Sequence, residues 1–318
     1  RNILTQGGLK PNRIETYMRA MSTLTDSAGG FTIPKPIFAQ IFVTMDDYGI
    51  ARRFGNVFNM TSKTLDLASI ATAPTVGWVG ELARKPESDG VFARRILTAY
   101  KLAGVMSWSD ELEENQIVEL LPTWLELLAI NAASKEDQAF LLGDGTATYG
   151  NHTGIRGIVP AGNTVTSALT TANLLNVRNK VKTSEQRNAR WFMHPTIEQA
   201  ILTEQAGLDA KNLAPVIVDN QRGRIASIWG FPVELSDLMP TAGAGNTLVL
   251  FGNPNNVMVG IRKPFEFVTS REGVISDAAG AVTFNALTQN GTILVAEESV
   301  ALGVPNAFVN GFASLVQS

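Results

Sequence analysis

Residues 64–107 constrain the fold more than any other part of the sequence. Both ends of this stretch have a strand-like pattern, and the middle, 81–90, is polar and turn-rich with Pro86 and Gly90. The pattern predicts a long β-hairpin. At about 3.3 Å per residue, the returning limb 91–107 would extend roughly 55 Å, which is longer than a small domain needs internally. Because a lone two-stranded hairpin is marginally stable, we expect this one to lie against a neighbouring molecule or domain.

Composition excludes several classes of function. The 318 residues, enough for about two domains, carry a formal net charge of −3, whereas dedicated nucleic-acid binders concentrate basic charge. There are no cysteines and only two histidines, His152 and His194, so thiol chemistry, disulfides, a histidine-based metal site and a Ser-His-Asp triad lack their residues. No apolar run approaches about 18 residues, so we expect a soluble protein without membrane contact. The first residue is Arg1 rather than methionine, which raises proteolytic maturation as a hypothesis.

The remaining chain mixes helices and strands. Glycines and prolines across 1–45 predict an extended arm. Apolar residues at three- and four-residue spacing over 117–142 predict a long helix that Gly143-Asp144-Gly145 ends. Beyond it, the pattern predicts an α/β or α+β domain, with helices at 172–182 and 195–206, strands at 190–193, 232–235, 247–250, 265–270, 281–287 and 292–300, and a tight turn at Asn290-Gly291 before the last strand.

Few residues point to catalysis. The glycines of 143–145 match no phosphate-binding fingerprint and fit helix capping. We expect His194, at a strand end, to be structural and His152 to lie in a loop. Glu297 and Glu298 are adjacent on an apolar strand, so their side chains should point to opposite faces. A buried carboxylate more often forms a salt bridge than acts as a base.

Short motifs along almost the whole chain resemble those of the major capsid proteins of tailed bacteriophages, the Hong Kong 97-type capsid fold family. Each motif is weak alone, whereas their order and spacing together are specific. They are Gly29-Gly30-Phe31-Thr32-Ile33-Pro34, Lys85-Pro86-Glu87-Ser88, Glu136-Asp137, Phe140-Leu141-Leu142-Gly143-Asp144-Gly145, Gly154-Ile155, Trp191-Phe192-Met193-His194-Pro195, Trp229-Gly230-Phe231-Pro232-Val233, Met239-Pro240, Phe251-Gly252-Asn253, Glu297-Glu298, Pro305 and Ala307-Phe308. One departure is Ser299, where the family commonly has an arginine after the two glutamates.

The resemblance implies an α+β Hong Kong 97-type capsid fold. It divides the chain into an N-terminal arm and lead-in, an extended loop, a peripheral domain with a long spine helix, and an axial α/β domain. The ranges are 1–63 for the arm, 64–107 for the loop, 108–170 with 259–302 for the peripheral domain, and 171–258 with 303–318 for the axial domain. Cleavage of an N-terminal scaffolding segment, frequent in the family, would account for Arg1.

The resemblance also implies a chemical site, because some members join subunits by a lysine–asparagine isopeptide bond assisted by a glutamate. The matching residues are Lys85, at the hairpin tip, and Asn290 and Glu297, seven residues apart. The neutral amine of Lys85 would attack the Asn290 carboxamide, Glu297 would accept a proton, and ammonia would leave. No cofactor or metal is implied. Each residue also has an alternative interpretation. The motif Lys85-Pro86-Glu87-Ser88 occurs in family members that do not crosslink, Asn290-Gly291 suits a hairpin turn, and Glu297 could simply be ion-paired.

Three functions follow. The first is a structural subunit of hexamers and pentamers in an icosahedral phage head that encloses double-stranded DNA. Its partners would be other copies, a portal, a scaffold or maturation protease, decoration proteins and packaged DNA in non-specific contact. It would occupy the virion capsid after assembly in the host cytoplasm. The second is an encapsulin-like nanocompartment with an enzyme cargo. The third is a soluble α+β enzyme, for which no catalytic motif is present.

Overall fold

The computed structural model describes residues 49–72, 74–115, 120–206, 216–219 and 223–318, and the predicted arm at 1–45 lies outside these ranges. The helices are α1 Ile50–Phe54, α2 Asp110–Asn115, α3 Leu120–Leu142, α4 Ile155–Ile158, α5 Thr171–Lys180 and α6 Pro195–Ala206. The strands are β1 Asn56–Asn59, β2 Thr64–Thr72, β3 Val91–Thr98, β4 Tyr100–Ser109, β5 Thr164–Thr166, β6 Arg190–Met193, β7 Val216–Asp219, β8 Arg224–Ile228, β9 Phe231–Leu235, β10 Thr247–Gly252, β11 Met258–Ser270, β12 Val274–Ser276, β13 Val282–Asn285, β14 Gly291–Gly303 and β15 Phe312–Val316. Short 3₁₀ turns occupy Ala147–Tyr149, Ala161–Asn163, Pro254–Asn256 and Asn306–Gly311.

The predicted hairpin is present, but its returning limb is shorter than expected. Strands β2 and β3 pair antiparallel from Thr64↔Thr98 outward. The strand is interrupted at Ala99, a residue that is 2% exposed and whose N–H donates to the carbonyl of Lys63. Residues 100–109 leave the hairpin and pair with β14 instead. The prediction of one continuous limb to Ser107 was therefore wrong, because the interruption at Ala99 divides one extended run between two sheets.

A four-stranded sheet in the order β1-β11-β14-β4 forms the first part of the body. Strand β1 is parallel to β11, and β14 is antiparallel to both β11 and β4. Helix α3 packs on one face, where Leu128 is close enough that a side chain at Gly104 would contact it at 3.5 Å. Because side chains alternate along β14, its even-numbered residues face α3 and its odd-numbered residues face the opposite side.

A seven-stranded mixed sheet in the order β5-β15-β10-β6-β9-β8-β7 forms the second part. Its central strand β10 is buried at every position, which explains the continuous apolar sequence Leu248 to Phe251. One face packs against α5 and α6 around Trp191, Leu174 and Ile201. The opposite face shares a core with α3 and the four-stranded sheet.

Helix α3 has 23 residues and extends about 35 Å. It lies within the predicted range 117–142, and residues 116–119 fall outside the described part of the chain. As predicted, the 143–145 loop ends it. A Cβ at Gly143 would lie 2.4 Å from the carbonyl oxygen of Ala139 and 2.7 Å from that of His152, so only glycine fits there.

Most of the other predicted elements are found with small shifts, but the strand predicted at 265–270 begins seven residues earlier, at Met258. Helix α5 ends at Lys180 instead of 182, since Val181 is already extended. Strand β13 ends at Asn285 instead of 287, because the Asn285 side chain accepts the N–H of Leu287 in a turn. Asn290-Gly291 forms the predicted turn, but β13 pairs with β12 rather than with β14. The hairpin interpretation of that dipeptide was therefore wrong.

Candidate assembly surface and buried charge cluster

The tip of the hairpin exposes large apolar side chains. Trp78 is fully exposed at 106% of its reference area, Leu82 at 103% and Val76 at 97%. The Ser88 hydroxyl accepts the N–H of Thr75 at 2.7 Å across the tip. Residues of this kind are usually buried, so three of them in solvent indicate a surface that another molecule covers.

The two strands of the hairpin extend this exposed surface. Ile70, Phe92 and Ile96 are 55%, 77% and 53% exposed. An ion pair of 2.9 Å joins Arg94 to Asp66 across the strands, but both side chains are more than half exposed. An exposed pair of this type contributes little stability to the hairpin.

Lys85 lies at this tip and is exposed. Its neighbours Arg84 and Glu87 form an exposed ion pair of 3.1 Å. Within one chain the tip position leaves the Lys85 amine in solvent, away from the four-stranded sheet that carries Asn290 and Glu297.

Glu297 lies on the outer face of the four-stranded sheet, opposite Glu298, as the alternation predicted. Its carboxylate forms ion pairs with Lys101 and, at 3.8 Å, with Lys263. These lysines hold the pKa of Glu297 below its usual value, Lys101 being the main cause, and Glu266 and Glu297 raise the pKa of Lys263. Glu297 is therefore an ionised carboxylate with two intrachain cation partners.

Asn290 occupies the turn just before β14, with a left-handed φ of 48°. Its carbonyl accepts the N–H of Asp110 at 2.9 Å. Gly291 follows, where a Cβ would lie 2.4 Å from the carbonyl oxygen of Trp108. The turn is thus fixed on both sides of the Asn290 side chain.

One chain does not bring the three predicted crosslinking residues together. Asn290 and Glu297 are seven residues apart along a single strand, which corresponds to roughly 23 Å at about 3.3 Å per residue. Any reaction among Lys85, Asn290 and Glu297 therefore needs groups from more than one copy.

Glu298 faces the interior and forms the salt bridge that its burial requires. Its side chain is 1% exposed and pairs with the guanidinium of Arg52, from α1. The same guanidinium donates to both carboxylate oxygens of Glu136, from α3, at 2.8 and 2.9 Å. Arg52 is therefore the cation partner of both buried glutamates.

Asp137, the next residue on α3, holds the start of α1. Its carboxylate oxygens accept the N–H groups of Ile50 at 3.1 Å and Ala51 at 2.7 Å, which are unpaired donors in the first turn of a helix. Glu136 and Asp137 together fix α1 to α3 through one ion pair and two backbone contacts. We call Arg52, Glu136, Asp137 and Glu298 the Arg52 cluster.

Two buried carboxylates, those of Glu136 and Glu298, share the Arg52 cation, and a third, that of Asp137, lies next to them on backbone donors. Burial and the neighbouring Glu136 raise the pKa of Glu298 to about 7. Burial raises the pKa of Asp137 to about 6 despite its backbone donors. Both glutamates raise the pKa of Arg52. The cluster therefore retains part of a proton near neutral pH.

His152 lies in a loop, as predicted, and both histidines hold backbone groups through a ring nitrogen. Nδ1 of His152 accepts the N–H of Leu302 at 3.3 Å, and its ring meets that of Tyr100 edge-on at 5.2 Å. Burial lowers the pKa of His152 to about 4. His194 accepts the N–H of Thr196 at the start of α6.

The sequence interpretation missed Arg52, Asp137, Trp78 and Leu82. Glu136 and Asp137 carried a family motif without a role, and their partner Arg52 is 84 residues away from Glu136, so no local pattern links them. Trp78 could have been noticed as a large aromatic residue beside a polar, turn-rich segment.

No group of three or more acidic or histidine side chains in the described ranges is arranged to hold a metal ion. The described helices include none that is long and apolar enough to cross a membrane.

A family model described as the phage capsid family matches residues 29–311. The chain belongs to the phage capsid family. It is a structural protein, a major capsid protein that forms the phage shell. Its mixed architecture of helices and sheets is the α+β class that the sequence resemblance implied.

Solved capsid structures have the same fold. A chain titled "Capsid of native GTA particle computed with C5 symmetry" has a TM-score of 0.68 at 17% identity, over 93% of this chain and 96% of that one. The structure titled Microbacterium phage Oxtober96 has a TM-score of 0.67 at 18% identity, over 95% of this chain and 98% of that one. The structure titled Mycobacterium phage Cain has a TM-score of 0.66 at 15% identity, over 91% of this chain and 95% of that one. No curated protein sequence matches this chain.

Proposed function

We propose that this capsid protein self-assembles into the hexamers and pentamers of an icosahedral head that encloses double-stranded DNA. The observation that carries the proposal is the hairpin: Trp78, Leu82 and Val76 at its tip are almost fully exposed in one chain. Burying a large apolar side chain stabilises a contact by about 1.5–3 kcal/mol. In a ring of subunits, each tip would cover a neighbour, and each subunit would be covered in turn.

Electron microscopy of particles from native material, with the ultraviolet absorbance ratio of the same fraction, tests this proposal. We expect icosahedral shells with the absorbance of nucleic acid. Similar shells filled with protein would instead favour the nanocompartment with an enzyme cargo. Small particles that never assemble would contradict both shell functions.

The domain division follows from the same proposal. The peripheral domain would comprise 108–170 and 259–302, and the axial domain 171–258 and 303–318, with 1–63 as arm and lead-in and 64–107 as the extended loop. The separate four-stranded and seven-stranded sheets support it. Strand β4 shifts one boundary of this division, because residues 100–107 pair with β14 of the four-stranded sheet and not with the hairpin.

We also propose the isopeptide crosslink between Lys85 of one copy and Asn290 of another, with Glu297 of a further copy as proton acceptor, because Glu297 of the chain that supplies Asn290 lies roughly 23 Å away at about 3.3 Å per residue. The Lys85 amine attacks Cγ of Asn290, the new amide C–N bond forms, the old one breaks, and the proton lost by the amine leaves on ammonia by way of Glu297. Support comes from the exposed Lys85 and the fixed turn at Asn290. The ion pairs of Glu297 with Lys101 and Lys263 weaken it as a base, so a docked tip must displace them.

A denaturing gel of mature shells tests the crosslink. We expect a ladder of covalent oligomers that Lys85→Arg abolishes while shells still form, and that Arg84→Lys, a neighbouring change, leaves intact. Shells that dissociate to monomer alone would exclude the crosslink without affecting the capsid function.

We propose several further partners: a portal, a scaffold or maturation protease, decoration proteins, and packaged DNA in non-specific contact. Assembly would take place in the host cytoplasm. Copurification of these partners with particles tests each of them.

A further inference from the structure

Residues 145–184 contain no aspartate or glutamate, and no other stretch of the sequence without acidic residues is as long. The basic segment, which we define as residues 178–190, lies at its end and contains five basic residues and one acidic residue, Glu185. This segment therefore has a net charge of +4, whereas the whole chain has a net charge of −3. Positive charge is concentrated at one place in a chain that has no overall excess of it.

Three of the five cations of the basic segment are available to a partner. Lys180, Lys182 and Arg187 are exposed and have no ion-pair partner among the described residues. The other two are engaged within the chain. Arg190 forms an ion pair of 2.6 Å, and the guanidinium carbon of Arg178 lies 5.8 Å from the centroid of an aromatic ring.

The backbone that carries these cations is held in place. Val181 and Ala189 are 2% and 1% exposed. Between them, the side-chain amide of Gln186 donates to the carbonyls of Arg178 and Val181 at 3.1 and 2.7 Å, which folds the loop back on the end of α5. A charged surface with an ordered backbone loses less conformational entropy when it binds a partner.

An open groove of about 430 Å³ lies beside these cations, between β5 and α5. We call it the α5 groove. It is lined by Thr164 and Val165 from β5 and by Asn176, Asn179 and Lys180 from α5. Amine, amide and hydroxyl side chains are the groups with which proteins contact nucleic-acid phosphates. The described residues that line the groove include no acidic side chain.

The nearest acidic side chains on the page do not neutralise this end of the groove. Glu204 accepts the N–H of Thr171 at 3.0 Å, at the opposite end of α5 and roughly 14 Å along the helix axis from Lys180. Glu185 accepts a hydrogen bond from Nδ2 of Asn256 at 3.5 Å. The end of the groove at Lys180 therefore keeps its positive charge.

We propose that the α5 groove, with Lys180, Lys182 and Arg187 at its end, binds backbone phosphates of the enclosed double-stranded DNA. The proposal rests on the proposed function, because it needs a shell that contains DNA. It assigns the non-specific DNA contact to one defined surface and makes that surface face the interior of the shell. Contacts between cations and phosphates are independent of base sequence, as packaging of a whole chromosome requires.

The composition of the groove favours DNA over an acidic protein as the occupant. Protein interfaces have an apolar centre with aromatic anchors. The described lining of the groove contains no aromatic residue and one apolar residue, Val165. Cations in the last turn of a helix also stabilise that helix, which accounts for Lys180. Lys182 and Arg187 lie beyond the end of α5, so helix stabilisation does not explain them.

Acetylation of lysines in DNA-filled and in empty shells of the native chain tests which way this surface faces. We expect Lys180 and Lys182 to react at least fivefold more slowly in filled shells. Lys85, which the proposed function places between subunits, should react equally in the two. Equal reactivity of Lys180 and Lys182 in filled and empty shells would overturn the proposal and leave the capsid function intact. Failure to obtain any shell that contains DNA would instead contradict the proposed function.

Removing the three charges tests whether they contact phosphates. Binding of the unassembled chain to duplex DNA is measured by fluorescence anisotropy at increasing salt. The logarithm of the native binding constant should fall with that of the salt concentration with a slope of about −2 to −3, as expected for three phosphate contacts. The triple variant Lys180→Gln, Lys182→Gln and Arg187→Gln should bind at least tenfold more weakly at low salt, with a slope closer to zero.

A second triple variant, Arg224→Gln, Arg262→Gln and Arg271→Gln, is the matched control, because it removes the same charge from exposed arginines outside the basic segment. It should bind DNA within about twofold of the native chain. Equal losses in the two variants would mean that net charge and not this groove governs binding, and unchanged binding in both would exclude the contact; either result overturns the proposal. If the first variant fails to fold, acetylation of the native shells decides.

Discussion

The body and the hairpin of this capsid protein are stabilised in opposite ways. In the body, two sheets and the long helix bury a shared core, and even its charged groups, Glu136, Asp137 and Glu298, are buried with partners. At the tip of the hairpin, Trp78 and Leu82 are fully exposed. The described part of the body therefore buries its core within one chain, whereas the tip does not. The hairpin exposes the large apolar side chains that are typical of an interface. This difference implies that part of the stability of the fold arises only on assembly.

Removing the apolar tip tests this contrast with the largest expected effect. The double variant Trp78→Ala and Leu82→Ala should reduce shell yield at least a hundredfold, because aromatic anchors dominate interface energies. The melting temperature of the unassembled chain should change by less than about 1 °C, since neither side chain is buried there. Glu81→Ala, at the same tip, should assemble normally. Full assembly of the double variant would mean that the tip is not an interface.

Breaking the Arg52 cluster should damage the body instead. Arg52→Ala leaves Glu136 and Glu298 buried without their cation, and we expect a loss of about 2–4 kcal/mol in the free energy of unfolding, the lower part of the range reflecting the 42% exposure of the Arg52 side chain. Arg53→Ala, next to it, removes an exposed ion pair with Glu234 and should cost below about 1 kcal/mol. Chemical denaturation of the unassembled chain measures both. Equal losses would show that the cluster does not hold α1.

Close packing of the body predicts a smaller but site-specific loss. A Cβ at Gly154 would lie 2.1 Å from the carbonyl oxygen of Ala139, so Gly154→Ala should cost roughly 1–3 kcal/mol. At Gly162 a Cβ meets nothing within 4 Å, and Gly162→Ala should change stability by less than about 0.5 kcal/mol. Thermal melts of the two variants compare them directly. A tolerated Gly154→Ala would indicate that the 143–154 loop is less constrained than its contacts require.

The raised pKa values of the Arg52 cluster predict a modest pH dependence. Folded Glu298, with a pKa of about 7, holds a proton that the unfolded chain releases near 4.5. The stability it contributes is therefore complete below about pH 4.5 and is lost as the pH rises through 7. One unit of pKa corresponds to about 1.4 kcal/mol, so the rise from 4.5 to about 7 sets an upper limit of roughly 3 kcal/mol, and we expect stability to decrease by about 1–3 kcal/mol between pH 5 and pH 8.

Glu298→Gln provides the control for this pH effect. An amide cannot ionise, so the variant should show a flatter pH dependence of unfolding over pH 5–8. Glu297→Gln, on the exposed face, should retain the slope of the native chain. An unchanged slope in Glu298→Gln would assign the pH dependence to other groups.

Much of the fold was predictable because its signals are local. The hairpin, the helix that ends at Gly143, and three strands of the seven-stranded sheet, β6, β9 and β10, follow from periodicity and turn residues. The opposite orientations of Glu297 and Glu298 followed from strand geometry alone. These features depend on residues that are neighbours in sequence.

What could not be predicted depends on contacts between distant residues. In the sequence, Ala99 looks like part of one continuous strand. Only the pairing of residues 100–109 with β14 shows where the hairpin ends. Arg52 lies 246 residues from Glu298, so no spacing rule connects them. The short edge strand β5 gave no pattern of its own, since it pairs with β15 almost 150 residues later.

A cryo-electron microscopy reconstruction of the assembled particle tests the central claim most directly. We predict that each hairpin lies on a neighbouring subunit, with Trp78 and Leu82 covered and the body unchanged from the single chain. Shells in which the hairpin folds back onto its own body, or projects into solvent with Trp78 exposed, would contradict the account.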